Sequence, residues 1–208
     1  MRNKGTGLMA LGLALILGAA ALTGYNLLEA RNAEKASAIL VQELRQQLPP
    51  PALPPELPVD ETIPAETLPD YVRFPSLEMP VVTLEGEDYI GMLVIPQLEL
   101  ELPVMADWSY AALKTAPCRY EGSAYTGNLI LMAHNYDSHF GRLKDLRPED
   151  VVFFTDMEDN RFSYRVVELE TLDADAVDYM SAGDWDLTLF TCTYGGQSRV
   201  TIRCEEMK

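Results

Sequence analysis

Twenty-four consecutive residues, Gly5 to Leu28, carry no charge, and their centre, Leu8 to Leu22, is apolar or glycine throughout. A helix needs about 20 residues to cross the hydrocarbon layer of a bilayer, so this segment is long enough to span it with some tilt. Arg2 and Lys4 precede it. Positive charge favours the cytoplasmic side, which predicts that everything after Leu28 lies outside the cell. Ala19, Ala20 and Ala21 leave a second reading, a cleaved signal peptide. Both readings export the remainder, and the expectation is an uncleaved, single-pass anchor over residues 1–28.

Beyond Leu28 the texture of the chain changes twice. Residues 29–48 contain no Pro or Gly, are rich in Ala and Leu, and carry Glu34, Lys35, Glu43 and Arg45, which predicts a helical stalk with a weak stripe at Ile39, Leu40 and Leu44. From Pro49 to Pro80 lie ten of the fourteen prolines. Proline fixes φ and removes a backbone donor, so residues 49–82 read as an extended, semi-rigid linker. The remaining residues, 83–208, form one domain of ordinary size. The formal charge of the chain is -16, which excludes a nucleic-acid partner because phosphate contacts need clustered Lys and Arg.

In that domain short apolar runs, rich in β-branched and aromatic residues, alternate with turn signals, as in all-β barrels or sandwiches. The predicted strands are 89–95, 98–105, 128–133, 151–154, 162–171, 187–191 and 199–203, with a short helix at 110–114 and a turn at 143–146. Three reactive residues sit at strand ends. His134 follows Asn128-Leu-Ile-Leu-Met-Ala133, Cys192 follows Leu187-Thr-Leu-Phe-Thr191, and Arg199 opens a strand after the turn Tyr194-Gly195-Gly196-Gln197. A thiolate is the nucleophile of acyl transfer, and a neighbouring imidazolium or guanidinium lowers the thiol pKa. The imidazole can protonate a leaving amine and deprotonate an incoming one, while Arg, always charged, can hold an oxyanion or substrate carbonyls. Taken singly, each residue is more often a core cysteine, a polar cap or an edge charge than a catalytic group.

The surrounding sequence resembles the sortase family. Thr188-Leu189-Phe190-Thr191-Cys192 is similar to the motif that carries the family's catalytic Cys, and Arg199 before Val200-Thr201-Ile202 to its catalytic Arg. Met132-Ala133-His134-Asn135 is similar to the family's His block, with Ala133 where Gly is common. Phe140-Gly141-Arg142-Leu143 and the opening strand Tyr89–Pro96 also match, and the resemblance spans residues 87–204. It implies an eight-stranded β barrel and a cysteine transpeptidase with Cys192 as nucleophile, His134 as general acid/base and Arg199 stabilising oxyanion or substrate, with Thr191 a candidate substrate contact. It further implies that secreted proteins bearing a C-terminal sorting signal are cleaved and their acyl group passed to an amine of a peptidoglycan precursor or pilin, on a Gram-positive cell wall. The motifs lean towards class B, but Thr193 replaces the Asp often found after the Cys, and the connection 172–185 is too short for that class's long helix.

No organic cofactor or metal is expected. Some sortases bind calcium through acidic residues near this connection, and Asp173, Asp175, Asp178 and Asp184 are read instead as solvated loop charges. His139 reads as a surface or rim residue. Cys204 alternates with Val200 and Ile202 onto the core face of its strand, Cys118 has no assigned role, and a Cys118–Cys204 disulfide would suit an exported domain. Two other functions stay open on sequence alone, an exported cysteine hydrolase using water and a non-catalytic stalked binding module.

Overall fold

The computed structural model of the chain describes residues 3–47, 69–74 and 76–207. Most of the expected linker, 48–68 with residue 75, therefore lies outside the described residues. Helix α1 runs unbroken over Asn3–Gln47. Along its first part the large apolar side chains stand exposed on every face, from Leu8 at 75% to Leu28 at 60%, and among the described residues it is the one helix long and apolar enough to cross a membrane. Further on, one face changes character. Ala33, Ser37, Leu40, Val41 and Leu44 are buried, a spacing of three and four residues that keeps them on one stripe.

That stripe is covered by the barrel. Leu40, Val41 and Leu44 pack with Tyr89, Met92, Met105, Leu113 and Cys118, and Arg45 pairs with Glu101 while Glu29 pairs with Lys114 at 2.6 Å. The segment expected as a stalk is thus docked along the domain, and Ile39, placed on the predicted stripe, is 57% exposed. The chain also joins the domain before the expected boundary at residue 83. In the one-turn helix α2 (Asp70–Arg73), Tyr71 stacks on Tyr125 with ring centroids 4.8 Å apart, and Met79 enters the main core.

Nine strands make up the domain. They are β1 Val82–Leu84, β2 Glu87–Ile95, β3 Leu100–Met105, β4 Cys118–Glu121, β5 Leu129–Ala133, β6 Val151–Asp156, β7 Arg161–Asp173, β8 Leu187–Cys192 and β9 Ser198–Glu206, with a four-residue helix α3, Val177–Met180, between β7 and β8. Their order in the sheet is β1-β2-β3-β4-β5-β8-β9-β7-β6, and β6 pairs back onto β2. The seam closes β2 to β9 into an eight-stranded barrel, with β1 appended to its edge. Inside lie Ile90, Leu93, Leu129, Leu131, Phe154, Tyr164, Leu187, Leu189 and Ile202, all at most 2% exposed. The expected strands are present. Two short ones, β1 and β4, had not been predicted, and the expected helix at 110–114 is a 3₁₀ turn over Ala112–Lys114.

The proposed disulfide is not formed. Cys118 and Cys204 are both buried and free. Cys204 points into the barrel, as its alternation required, whereas Cys118 lies outside it under α1. The barrel wall separates them.

His139 also departs from expectation, being 0% exposed at the junction of α1 with the barrel. The Ser37 hydroxyl donates to the Thr115 carbonyl at 2.8 Å, which uses its one hydrogen. At 3.2 Å from Ser37 Oγ, His139 Nε2 must therefore be the donor to that oxygen. Burial pushes this imidazole down to about 4. The folded protein holds it neutral while the unfolded chain would protonate it near pH 6.5. Its contribution to stability is therefore complete above about pH 6.5 and is lost progressively as pH falls towards about 4. Thermal melts across that range should show a decline that His139→Phe flattens.

The barrel closes where there is room for hydrogen only. Gly91 on β2 faces Asp156 on β6, and a Cβ at Gly91 would collide with the Thr155 carbonyl oxygen and the Phe154 ring. Backbone cannot yield there without opening the seam. Gly91→Ala is expected to cost about 1–3 kcal/mol in denaturant unfolding, where alanine at an exposed strand site such as Thr83 costs a few tenths.

Candidate active site

Strand alternation decides which side chains leave the barrel wall outward. On β5, Leu129, Leu131 and Ala133 belong to the interior core, so Ile130 and Met132 point out. On β8, Leu187 and Leu189 are interior and Phe190 joins the outer cluster. On β9, Ile202 and Cys204 are interior, with Val200 packed against that core. Residues of the other parity, His134 just past β5, Cys192 on β8 and Arg199 on β9, therefore share the outer face. The register aligns them. β5 and β8 run parallel with Ala133 opposite Thr191, and Cys192 lies opposite Arg199 across the antiparallel β8–β9 pair. Neighbouring strands are about 4.8 Å apart, so imidazole, thiol and guanidinium form a row across three adjacent strands. All three are partly exposed and line one cleft of about 250 Å³.

The hairpin that joins Cys192 to Arg199 turns through Gly195 and Gly196, with φ of 87° and 72°, values that favour glycine. The Thr193 amide donates to the Ser198 carbonyl at 2.9 Å. One guanidinium nitrogen of Arg199 donates to the carbonyls of Gly196 and Ser198, at 3.0 and 3.1 Å. Among the described residues its other N–H groups meet no partner, which leaves them for an incoming carbonyl. Thr191 is 3% exposed and borders the cleft, but its hydroxyl donates to the Ala133 carbonyl at 2.8 Å. It ties β8 to β5 beside His134, with its hydrogen already committed.

His134 is half-buried, its ring 5.0 Å from that of Tyr136. Burial holds it below the ordinary imidazole range; the Glu29 carboxylate opposes that shift and the Lys114 ammonium adds to it. At neutral pH the ring is therefore neutral, a form that can accept a proton.

The opposite wall of the cleft is the β7–β8 connection, through Ala174, Val177 and Met180. What holds it is Arg203, which sequence reasoning passed over. At 3% exposure, its guanidinium donates to Glu170 Oε1 at 2.7 Å, the Met180 carbonyl at 2.7 Å, Thr188 Oγ1 at 3.0 Å and the Tyr179 carbonyl at 2.5 Å. The signal was a charge between Ile202 and Cys204, which face the core, four residues after Arg199 and so on the same face. Among the described residues no three His, Cys, Asp or Glu side chains gather as metal donors.

A family model for the sortase domain matches residues 93–207. The chain belongs to the sortase family. Solved structures agree in fold. The chain is similar to a Clostridium perfringens sortase D5 transpeptidase, at 19% identity and a TM-score of 0.52 over 58% of this chain and 80% of that one. Sortase C1 of Streptococcus agalactiae aligns at 25% identity and 0.53 over 61% and 71%, and Listeria monocytogenes sortase A at 23% and 0.53 over 58% and 88%. No curated protein sequence matches. Sortases are cysteine transpeptidases, and members lettered A, C and D align at similarly low identity, which assigns no subclass.

Replacing Arg203 by Ala strands two carbonyls, Thr188 and Glu170 at once. The expected loss is about 3 kcal/mol in thermal or denaturant unfolding. Amide exchange should accelerate most over residues 174–186, and Arg203→Lys, with a single donor head, should restore little of it.

Proposed function

We propose that this sortase cleaves a sorting signal near the C-terminus of secreted proteins and passes the acyl group to an amine of a cell-wall precursor or pilin. Cys192 attacks the scissile carbonyl, breaking the C–N bond and forming a thioester. His134 takes the thiol proton and delivers it to the leaving amine. Arg199 turns its free N–H groups to the carbonyl oxygen as negative charge develops there. The row of His134, Cys192 and Arg199 on one outer face, above a single cleft, is the observation that carries this reading. The cleft walls favour an apolar extended peptide, with Trp108, Tyr120 and Phe190 on one side and Val177 and Met180 on the other.

The uncharged residues 5–28 act as the membrane anchor, with the linker expected at 49–82 shortened at its far end, where Tyr71 and Met79 already join the domain, and with the catalytic domain outside the cell. Docking of residues 33–44 on the barrel then keeps the site close to the bilayer surface.

The test is a mass measurement. Purified protein incubated with a peptide library should gain one acyl mass on Cys192, and Cys192→Ala should gain none and release no product. Cleavage by the alanine variant at the parent rate would rule the mechanism out. The pH dependence has a defined sign. Because His134 acts as a base in its neutral form, and burial lowers its pKa, acylation should hold through neutral pH. It should fall about tenfold per pH unit below that pKa, which lies under the ordinary imidazole value.

A further inference from the structure

Tyr194, at the tip of the β8–β9 hairpin, is 84% exposed, more than any other large apolar side chain among the described residues. The tip, Thr193 to Ser198, carries no charge, and a Cβ on Gly195 or Gly196 would have nothing within 4 Å. The tip stands clear of the barrel, yet it is close to α1, because Tyr194 shares a groove wall with Thr23, Asn26 and Leu27. Resting on the reading of residues 5–28 as the membrane anchor, we propose that this hairpin tip is a lipid-contacting surface, with the Tyr194 ring seated at the boundary between phospholipid headgroups and acyl chains.

The level of the ring follows from the length of the helix. An α-helix rises about 1.5 Å per residue, so about 20 residues cross about 30 Å of hydrocarbon. A span that begins between Gly5 and Leu8 therefore ends between Gly24 and Leu27. The α1 residues beside Tyr194 are those that leave the bilayer. Docking of α1 then decides which end of the barrel faces the lipid. Contact starts just beyond, at Glu29, whose carboxylate pairs with Lys114 at 2.6 Å and accepts from the Tyr136 hydroxyl at 3.5 Å. It ends at Arg45, paired with Glu101. The end that carries Lys114, Tyr136 and the hairpin faces the bilayer.

The chemistry of the tip suits this place. Tyrosine joins an apolar ring to a polar hydroxyl and collects at membrane–water boundaries. Tyr25, 59% exposed on α1, lies at the same level. With a chain charge of -16, attraction to anionic lipid contributes nothing, so the contact forms on zwitterionic lipid as well. Cys192 lies two residues before Tyr194, about 7 Å along the strand, and is held at the bilayer surface by the same contact.

Fluorescence quenching on the full-length protein in phosphatidylcholine vesicles tests it. Cys118 and Cys204 are buried, so in a Cys192→Ala background one introduced cysteine takes a bimane label. The labelled positions are Gln197→Cys on the hairpin, Leu15→Cys within the anchor and Glu158→Cys in the β6–β7 turn, at the opposite end of the barrel. A nitroxide on the lipid headgroup should dim Gln197→Cys about two-fold relative to Glu158→Cys, and adding Tyr194→Asp should restore most of that signal. Equal intensity at the two positions, or dimming that Tyr194→Asp leaves unchanged, overturns the proposal. A mid-chain nitroxide reads Leu15→Cys. No quenching there removes the anchor reading and the hairpin placement with it, whereas quenching there with none at Gln197→Cys overturns the hairpin placement alone.

Discussion

The pairing of β8 with β5 on one side and β9 on the other is the constraint on which the site depends. Side chains alternate along a strand, so slipping β8 by one residue would turn Cys192 into the core and Leu189 out to solvent. Burying Leu187 and Leu189 inside the barrel sets the parity. The Thr191 hydroxyl on the Ala133 carbonyl pins the parallel edge, and Arg203 bridging Thr188 to the β7–β8 connection pins the antiparallel one. With these in place the thiol has no choice of neighbours: imidazole on one flank and guanidinium on the other. The β7–β8 connection then covers the outer face of β8 through Met180 and Phe190, which explains why Leu187–Thr191 is buried throughout although only one face looks into the barrel.

Helix α1 has two environments along one axis. Its first part exposes apolar side chains all round, which water does not tolerate over such an area, and its second part buries one stripe against the barrel. Continuous helix between them transmits orientation, because a helix bends only gently without Pro or a bulge. The junction is polar at the active-site end, where Glu29 meets Lys114 and Tyr136, and apolar at the far end, around Leu44. In between sits His139, neutral and hydrogen-bonded to Ser37. This imidazole is next in electrostatic influence to His134, which also helps to lower it. Two histidines, one half-exposed and one buried, thus divide between chemistry and architecture according to burial.

Much of this was legible in the sequence, and the failures have a common cause. Strands with regular alternation and apolar length, such as β2, β7 and β8, were found because their pattern is local. So was the parity of Cys204, and the placing of His134 and Cys192 at strand ends. β4 was missed because Cys118–Glu121 is short and half polar, and it is defined by its pairing with β5 and β3 rather than by a local pattern. His139 looked like a rim residue because its sequence neighbours Asp137 and Ser138 are polar. Its burial comes from α1, a hundred residues away in sequence. Arg203 drew no reading for the same reason: its partners Tyr179 and Met180 belong to a connection whose path no local pattern reveals. Cys118 and Cys204 suggested a bridge by count and compartment alone, and a barrel wall between them cannot be seen in one dimension.

The electrostatics of the site argue for a particular order of events. A standing thiolate–imidazolium pair needs an environment that supports two charges. Here burial disfavours the imidazolium, and the guanidinium of Arg199 is drawn partly towards its own hairpin carbonyls. The resting imidazole is then neutral, and in the proposed mechanism it takes up a proton as the carbonyl is attacked. In the proposed mechanism substrate completes the arrangement, since an acyl oxygen would give the uncommitted N–H groups of Arg199 their first strong acceptor and help exclude water from the cleft.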